Sequence, residues 1–241
     1  MTCRDRGHLL GDGVFETMRT HGDVIWQEAR HRARMEQGAE WLGLATDAWD
    51  DVVADLLARG QGDRRLRIEL TAGDMTGLME GSGARMSGSV MAFEPHPDAP
   101  IRLISSDVAI PIQPWSGCKT LSMFPYVQAL RMAHARGADD AVLTDGRNGI
   151  VEATTSNVFA HVDGTWHSPG PSQGAVDGVT RQVLLEHIDA VPELHCDQLA
   201  RADAVALTNT RGVRVASTLD GRALDLQPAR ALQQLFAELQ P

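Results

Sequence analysis

Apolar residues recur at helical spacing in several stretches of the chain. The pattern predicts helices near residues 33–42, 49–59, 125–136 and 180–188, and a last helix opened by Pro228. The first three are each followed by a glycine, the residue that most often ends a helix.

Other stretches alternate between apolar and polar residues, which indicates strands. Leu66, Ile68 and Leu70 alternate with arginines and other polar residues, and this predicts a strand with one charged face. Shorter apolar runs predict further strands near residues 90–93, 101–104, 141–143, 150–151, 158–160, 165–166, 205–207 and 213–215. Three dipeptides predict tight turns between neighbouring strands, namely Asn148-Gly149, Asp163-Gly164 and Asp220-Gly221.

The mixture of helices and strands predicts an α/β fold (α+β mixed) with two domains. A stretch rich in proline and glycine at residues 110–117 is interpreted as an interdomain linker. We therefore expect a small N-terminal α/β domain at residues 1–109 and a larger C-terminal domain at residues 118–241.

Composition narrows the classes of function. The chain has 241 residues and a formal net charge of −10, which disfavours binding to nucleic acid. No apolar run is long enough to span a bilayer, and no secretory signal is recognised at the N-terminus. Cys3, Cys118 and Cys196 lie far apart, and the histidines show no ligand spacing, so we expect no metal site and a cytoplasmic protein. The expected partner is a small molecule.

Three local features carry candidate chemistry. Lys119 lies in a loop just before a predicted helix, and a lysine held away from water can attack a carbonyl group. Glu152 precedes a run of hydroxyl residues and could pair with a protonated ring nitrogen. The segment 178–181 begins a helix, where free N–H groups favour a phosphate. Taken singly, each feature is also typical of an ordinary surface charge, turn or helix cap.

The order of the motifs is more specific than any one of them. The chain resembles the fold-type IV (class IV aminotransferase) family of pyridoxal-phosphate enzymes over nearly its whole length. The resemblance rests on DRGHLLGDGVFET (5–17), HRARM (31–35), KTL (119–121), GADDA (137–141), VEATTSNVF (151–159), GVTR (178–181) and LTNT (207–210). It implies a two-domain fold like that of the D-amino-acid aminotransferases and a homodimer. Family members normally have one more strand before the DRG segment, whereas this chain begins almost at Asp5.

The resemblance also implies a role for each matching residue. Lys119 would carry pyridoxal 5′-phosphate as an imine and later move the proton, and Glu152 would bind the pyridine nitrogen. Arg34, the backbone of Val179 and Thr180, and the hydroxyl of Thr210 would bind the phosphate.

The reaction type depends on the substrate pocket. Branched-chain aminotransferases of this fold usually have tyrosine where this chain has Phe124, and D-amino-acid aminotransferases have tyrosine where it has Phe15. The KTL and LLGDGVFET segments look most like 4-amino-4-deoxychorismate lyases, which release pyruvate and form 4-aminobenzoate for folate synthesis. Arg67 is the best candidate for binding substrate carboxylates, and Arg19 is a weaker one, although a surface salt bridge explains either arginine nearly as well.

Two alternatives to the lyase stay open. The first is an aminotransferase that acts on a branched-chain or D-amino acid, which needs a keto-acid acceptor. The second is a non-catalytic dimeric homologue. Because Arg34, Lys119, Glu152 and Thr180 are all present, the chain has kept a full set of cofactor-binding residues, and this argues against a non-catalytic role.

Overall fold

A computed structural model describes residues 4–241 of the chain. Contacts between residues divide them into two compact units. The first contains the described residues up to Glu94 together with Cys118–Met123, and the second contains Pro95–Gly117 and Phe124–Pro241. Each unit therefore includes a segment from the other half of the sequence.

The first unit is a four-stranded sheet covered by helices. Its elements are α1 Arg6–Leu10, β1 Gly13–His21, β2 Val24–Ile25, α2 Glu28–Leu42, α3 Trp49–Ala58, β3 Arg64–Thr71 and β4 Arg85–Ala92. The strand order is β2-β1-β3-β4, and all neighbouring strands are antiparallel. The alternation in β3 buries Leu66, Ile68 and Leu70 in a core with side chains of β1, α2 and α3. Its polar residues lie on the opposite face of the sheet.

The second unit contains a nine-stranded mixed sheet and the remaining helices. Its strands are β5 Ile101–Ala109, β6 Asp140–Thr144, β7 Ile150–Ala153, β8 Asn157–Val162, β9 Thr165–His167, β10 Ala190–Val191, β11 Ala204–Asn209, β12 Gly212–Leu219 and β13 Arg222–Ala223. The helices are α4 Phe124–Ala135, α5 Val179–Leu185, α6 Cys196–Arg201 and α7 Leu226–Glu238, with a 3-10 turn at Pro171–Gln173. The strand order is β10-β9-β8-β11-β12-β5-β6-β7, and β13 pairs with β12. The predicted mixed α/β fold class is confirmed.

The contact-based division differs from the predicted boundary at residues 110–117. Strand β5 was expected in the N-terminal domain, but it pairs with β12 and β6 and so belongs to the second sheet. Conversely, Cys118–Met123 belongs to the first unit because it pairs with β1. Both pairings join segments that are distant in the sequence, which explains why local patterns place the boundary elsewhere.

Two of the three predicted turn dipeptides form tight hairpin turns, and the third does not. Asp163 and Asp220 have φ angles of 50° and 51°, and each is followed by a glycine with positive φ, as expected for tight hairpin turns. The β6–β7 hairpin is also present, but Asn148-Gly149 does not form its turn. Instead, the Asp145 carboxylate accepts hydrogen bonds from the backbone of Arg147 and Gly149, which organises a longer loop.

Within residues 4–241, none of the helices combines the length and apolar character that crossing a membrane requires.

Candidate active site

Lys119 lies on an extended segment that runs beside β1. The Lys119 carbonyl accepts a hydrogen bond from the Phe15 N–H at 2.9 Å, and the Leu121 N–H donates to the Gly13 carbonyl at the same distance. These bonds fix the backbone from the lysine carbonyl to the residue two positions after it. The Lys119 Nζ atom lies 4.4 Å from the centroid of the Phe15 ring, so the amine contacts an aromatic face.

Lys119 is also the only lysine in the chain, which contains 21 arginines. Histidines aside, every other basic side chain is an arginine, so Lys119 carries the only primary amine on a side chain. Arginine stays protonated under all physiological conditions, whereas lysine can lose its proton and act as a nucleophile. This count is a signal in the sequence that singles out Lys119 independently of the motifs.

Arg67 contacts the same aromatic ring as Lys119. The Arg67 Cζ atom lies 3.8 Å from the Phe15 ring centroid, and its Nε atom donates to Glu69 Oε1 at 2.6 Å. The anticipated salt bridge is therefore present, and Arg67 and Glu69 remain partly exposed on the polar face of the sheet. The arrangement places a guanidinium and an amine around one ring.

Arg19 lies farther along β1 and contacts a different ring. Its Cζ atom is 4.1 Å from the Phe93 ring centroid, and its strand position is directly opposite Arg65. Burial lowers the pKa of Arg19, and the charge of Asp63 opposes this effect. Because residues two apart on a strand share a face, Phe15, Arg19 and Arg67 contribute to the same polar side of the sheet.

A buried charge network lies beneath this sheet. Arg34 donates from Nε to Glu16 Oε1 and from a terminal nitrogen to Glu16 Oε2, both at 2.7 Å. The His31 Nδ1 atom is 2.7 Å from Glu16 Oε2. His31 and Arg34 lie three positions apart on α2 and so share a helix face, which turns both toward Glu16 on β1. Arg34 was predicted from the sequence as a site residue, whereas Glu16, which fixes the orientation of Arg34, was not.

The network holds Glu16 in its ionised form. Burial raises the pKa of Glu16, but the charge and hydrogen bonds of Arg34 and His31 outweigh burial and lower the pKa to about 2. Burial lowers the pKa of His31, Glu16 opposes that effect, and the positive charges of Arg34 and Lys119 lower it further. The Lys119 charge therefore acts on this network.

Acid should weaken the first unit through these two groups. A Glu16 carboxyl with a folded-state pKa of about 2, against an ordinary 4.5, stabilises the fold fully above about pH 5, and this contribution is lost as the pH falls toward 2. His31, whose pKa is also lowered in the fold, acts in the same direction below its ordinary pKa. We expect a loss of about 3 kcal/mol of unfolding free energy from Glu16 over this range, measured by urea denaturation. A change below about 1 kcal/mol would contradict this assignment.

Glu152 is buried at the sheet edge of the second unit, on β7. Its Oε1 atom accepts a hydrogen bond from the Tyr126 hydroxyl at 3.0 Å, and its Oε2 atom accepts one from the Val176 N–H at 3.2 Å. The Val176 carbonyl in turn accepts from the side-chain amide of Asn157 at 2.7 Å. The carboxylate is thus fixed by a donor on each oxygen. The sequence did not predict Tyr126 as a partner of Glu152.

Helix α5 begins at Val179, and Thr180 is its second residue. The residue before it, Gly178, lets the backbone approach Asn157 closely, since an added Cβ would lie 1.8 Å from Asn157 Oδ1. Because the N-cap residue is Gly178, it supplies no side-chain cap to the helix. Its first N–H groups therefore suit an anionic group, which is the chemistry required to hold a phosphate.

The turn between β11 and β12 is tied to the start of α5. The Thr180 hydroxyl donates to the Asn209 carbonyl at 2.9 Å, which brings Thr180 next to the turn that contains Thr210. The Asn209 amide also donates to Ser156 Oγ at 3.0 Å. Asn209 Oδ1 contacts His96 Nε2 at 2.9 Å, and burial lowers the pKa of His96 to about 4, so this histidine is neutral. His96 is a further residue that the motifs did not reveal.

The predicted residues thus form two groups, one within each unit. In the first, Lys119 and Arg67 share the Phe15 ring, Arg34 is bound to Glu16, and Arg19 lies apart against Phe93. In the second, Thr180, which follows Val179 in α5, bonds to Asn209 next to Thr210, and Glu152 has its own donors. Between residues 4 and 241, no cluster of three or more histidine, cysteine, aspartate or glutamate side chains could hold a metal ion.

Comparison with protein families gives one extended match. The family model described as amino-transferase class IV matches residues 13–217, which is most of the chain. The matched range includes Lys119, Glu152 and the start of α5.

Individual relatives carry different activities in their names. A protein of Methanocaldococcus jannaschii with the provisional name branched-chain-amino-acid aminotransferase is 30% identical, over 92% of this chain and 83% of its own. A D-alanine aminotransferase of Staphylococcus epidermidis is 24% identical, over 87% of this chain and 80% of its own. The crystal structure of 4-amino-4-deoxychorismate lyase from Pseudomonas aeruginosa matches with a TM-score of 0.86 and 26% identity, and the match covers 99% of this chain and 94% of that one.

Proposed function

This chain belongs to the class IV aminotransferase family of pyridoxal-phosphate enzymes, and from that premise we propose that it is a lyase that releases pyruvate from 4-amino-4-deoxychorismate. The observation that carries the proposal is that more than one arginine, namely Arg67, Arg65 and Arg19, lies on the sheet face that carries Phe15, the ring that Lys119 contacts. This arrangement puts a nucleophilic amine beside a guanidinium that can bind a carboxylate.

The residues present fit the cofactor. Bound pyridoxal phosphate supplies an electron-withdrawing ring that stabilises a carbanion next to the amine of the substrate. Lys119 offers the amine that holds the cofactor and afterwards moves a proton, and Glu152 offers a fixed carboxylate for the ring nitrogen.

The phosphate of the cofactor is assigned to four residues. The start of α5 at Val179 and Thr180 provides backbone N–H donors, and Thr210, beside the Asn209 carbonyl to which Thr180 donates, provides a hydroxyl. Arg34 provides the positive charge, and Glu16 keeps its guanidinium in one orientation.

The polar face of the first sheet fits a substrate with more than one carboxylate. Arg67 and Arg19 project from β3 and β1 on the face that also carries Phe15, and Arg65 lies opposite Arg19. A dicarboxylate of the aminodeoxychorismate type needs more than one cation to hold it. Lys119 would then take the proton from the ring carbon that bears the amine, and the bond between the neighbouring ring carbon and the ether oxygen would break as the ring becomes aromatic. The released enolpyruvate would take up a proton at carbon to become pyruvate.

An aminotransferase is the second candidate, and a specific observation favours it. The relative that is 30% identical over most of the chain carries an aminotransferase name. Lys119, Arg67 and the phosphate-binding residues serve this reaction equally well, because an amino acid also presents one amine and one carboxylate. The two reactions differ in that the aminotransferase stores the amino group and needs a keto acid to complete the cycle.

One experiment separates these activities. The purified protein, loaded with pyridoxal phosphate, is given aminodeoxychorismate in one sample and a panel of D- and L-amino acids in others, without any keto acid. Pyruvate release from the first, with a cofactor absorption band that amino acids leave unchanged, supports the lyase. A lasting change of that band with an amino acid contradicts the lyase and identifies the donor. A protein that takes up no cofactor would instead be the non-catalytic homologue.

Replacing Arg67 should selectively weaken substrate binding. For Arg67→Ala we expect kcat/KM to fall by about 30- to 100-fold, mainly through a higher KM, because a charge-assisted pair with a carboxylate is lost. The matched control is Arg102→Ala, which removes a sheet arginine paired with an exposed aspartate. Steady-state kinetics measures both variants, and equal effects of the two would contradict a substrate role for Arg67.

We also propose that the enzyme works as a homodimer in the cytoplasm. The wide spacing of the cysteines, with no CxxC pair, supports an enzyme of a reducing compartment. Analytical ultracentrifugation of the loaded protein tests the dimer, and a single species with the mass of one 26.1 kDa chain would contradict it.

A further inference from the structure

The only tyrosine of the chain donates a hydrogen bond to the carboxylate proposed for the ring nitrogen of the cofactor. We propose that Tyr126 is a positioning residue, which fixes Glu152 so that this carboxylate binds the nitrogen more tightly. The inference deepens the proposed function and rests on the role assigned to Glu152.

The geometry divides the Glu152 carboxylate between two fixed donors. The Tyr126 hydroxyl holds Oε1 at 3.0 Å, and the Val176 N–H holds Oε2 at 3.2 Å. Val176 belongs to a loop that Asn157 ties to the start of β8. Tyr126 lies in the first turn of α4, so the two oxygens of the carboxylate are held by different parts of the second unit. A carboxylate bound in this way cannot rotate freely about its last bond.

Tyr126 keeps its proton and so remains a donor. Burial raises the pKa of Tyr126 above its ordinary value of 10, and the charge of Glu152 and the hydrogen bond to it raise the pKa further. A protonated phenol beside a carboxylate donates its only proton to that carboxylate. Donors to a carboxylate favour its ionised form, which is the form that pairs with a protonated ring nitrogen.

A purely structural role is the competing explanation. The Tyr126 ring packs against an apolar cluster that includes Ala129, Ala133 and Leu143. Phenylalanine would fill this space as well as tyrosine does, so Tyr126→Phe keeps the packing and removes only the hydroxyl. The variant should therefore fold, and its effects report on the hydrogen bond to Glu152.

The first test measures how tightly wild type and Tyr126→Phe bind two ligands, pyridoxal phosphate and an analogue of it. For Tyr126→Phe we expect the Kd of pyridoxal phosphate to rise about tenfold, because a hydrogen bond to a charged group is lost. With an analogue in which carbon replaces the ring nitrogen, we expect wild type and Tyr126→Phe to bind equally. The control Ser105→Ala removes a hydroxyl donor to the exposed Asp220 carboxylate and should leave both affinities unchanged.

The second test follows the tyrosine directly. Because Tyr126 is the only tyrosine, protein labelled with 13C at tyrosine Cζ gives one resonance from this side chain. We expect this resonance to shift when pyridoxal phosphate binds to the wild type. In Glu152→Gln, in which the amide replaces the charged acceptor, the shift on binding should be much smaller.

The outcomes separate this inference from the proposed function. Equal cofactor affinity of wild type and Tyr126→Phe would overturn the role of Tyr126 and leave the proposed function intact. The same loss of affinity with the nitrogen-free analogue would also overturn it, because the effect would not pass through the ring nitrogen. Failure of the wild type to bind the cofactor would overturn the proposed function and this inference with it.

Discussion

Replacement of Lys119 by alanine should reduce kcat by at least about a thousandfold and abolish the visible absorption band of the bound cofactor. The reason is that Lys119 is the only lysine, so no other side chain can supply a primary amine. Its backbone is fixed beside β1, and its Nζ atom lies over the Phe15 ring, so a neighbouring residue cannot take its place. Absorption spectra and steady-state kinetics of the loaded variant measure both effects.

Lys119→Arg provides the matched control for charge. Arginine keeps a cation over the Phe15 ring but cannot form the covalent link, because its guanidinium stays protonated. We expect this variant to fold like the wild type and to be as inactive as Lys119→Ala. Substantial activity in either variant would contradict the assignment of Lys119 as the catalytic amine.

Glu16→Gln should cause the largest loss of stability among single substitutions of the charged residues described above. The change leaves the buried Arg34 guanidinium without its counter-ion, and breaking a buried pair in this way costs about 3–5 kcal/mol of unfolding free energy. Glu16 is fully buried, so water cannot replace the lost charge. Urea denaturation at neutral pH measures the effect.

Two further variants show whether the cost comes from the unpaired guanidinium. Asp107→Asn breaks an ion pair with Arg136 on the surface and should cost less than about 1 kcal/mol. The double variant Glu16→Leu with Arg34→Met removes both buried charges and should recover most of the lost stability. A Glu16→Gln loss no larger than that of Asp107→Asn would contradict the buried network.

Local patterns in the sequence predict most of the helices and strands. The helix expected at residues 49–59 is observed as Trp49–Ala58, and the alternating residues of β3 place its apolar side chains in the core. Helix α4 likewise lies where the spacing of apolar residues indicates. These elements are predictable because each presents one apolar face, and the period of that face is set by its own backbone geometry.

Contacts between distant segments are what the sequence does not reveal. Strand β5 looks like a continuation of the N-terminal half, but its hydrogen-bond partners are β12 and β6. The tight turn predicted at Asn148-Gly149 is a second example, because hydrogen bonds to the Asp145 side chain organise a longer loop there instead. In both cases a partner elsewhere overrides the signal of the residues themselves.

The candidate site follows the same rule. Lys119, Arg34 and Glu152 are identified by the resemblance to a family, and their partners Phe15, Glu16 and Tyr126 are identified only in three dimensions. Glu16 reads as one polar residue in a strand, and nothing near it in the sequence indicates that it is buried with Arg34. The single lysine is the exception, since a residue count alone distinguishes it.

The most direct measurement is chemical mapping of the cofactor on the chain. Borohydride reduces a carbon–nitrogen double bond between the cofactor and an amine to a stable single bond, and mass spectrometry of peptides then locates the added mass. We predict one cofactor per chain, on the peptide that contains Lys119, and none after the same treatment of Lys119→Arg. Cofactor found only on the N-terminal amine, or on no peptide at all, would contradict the central claim.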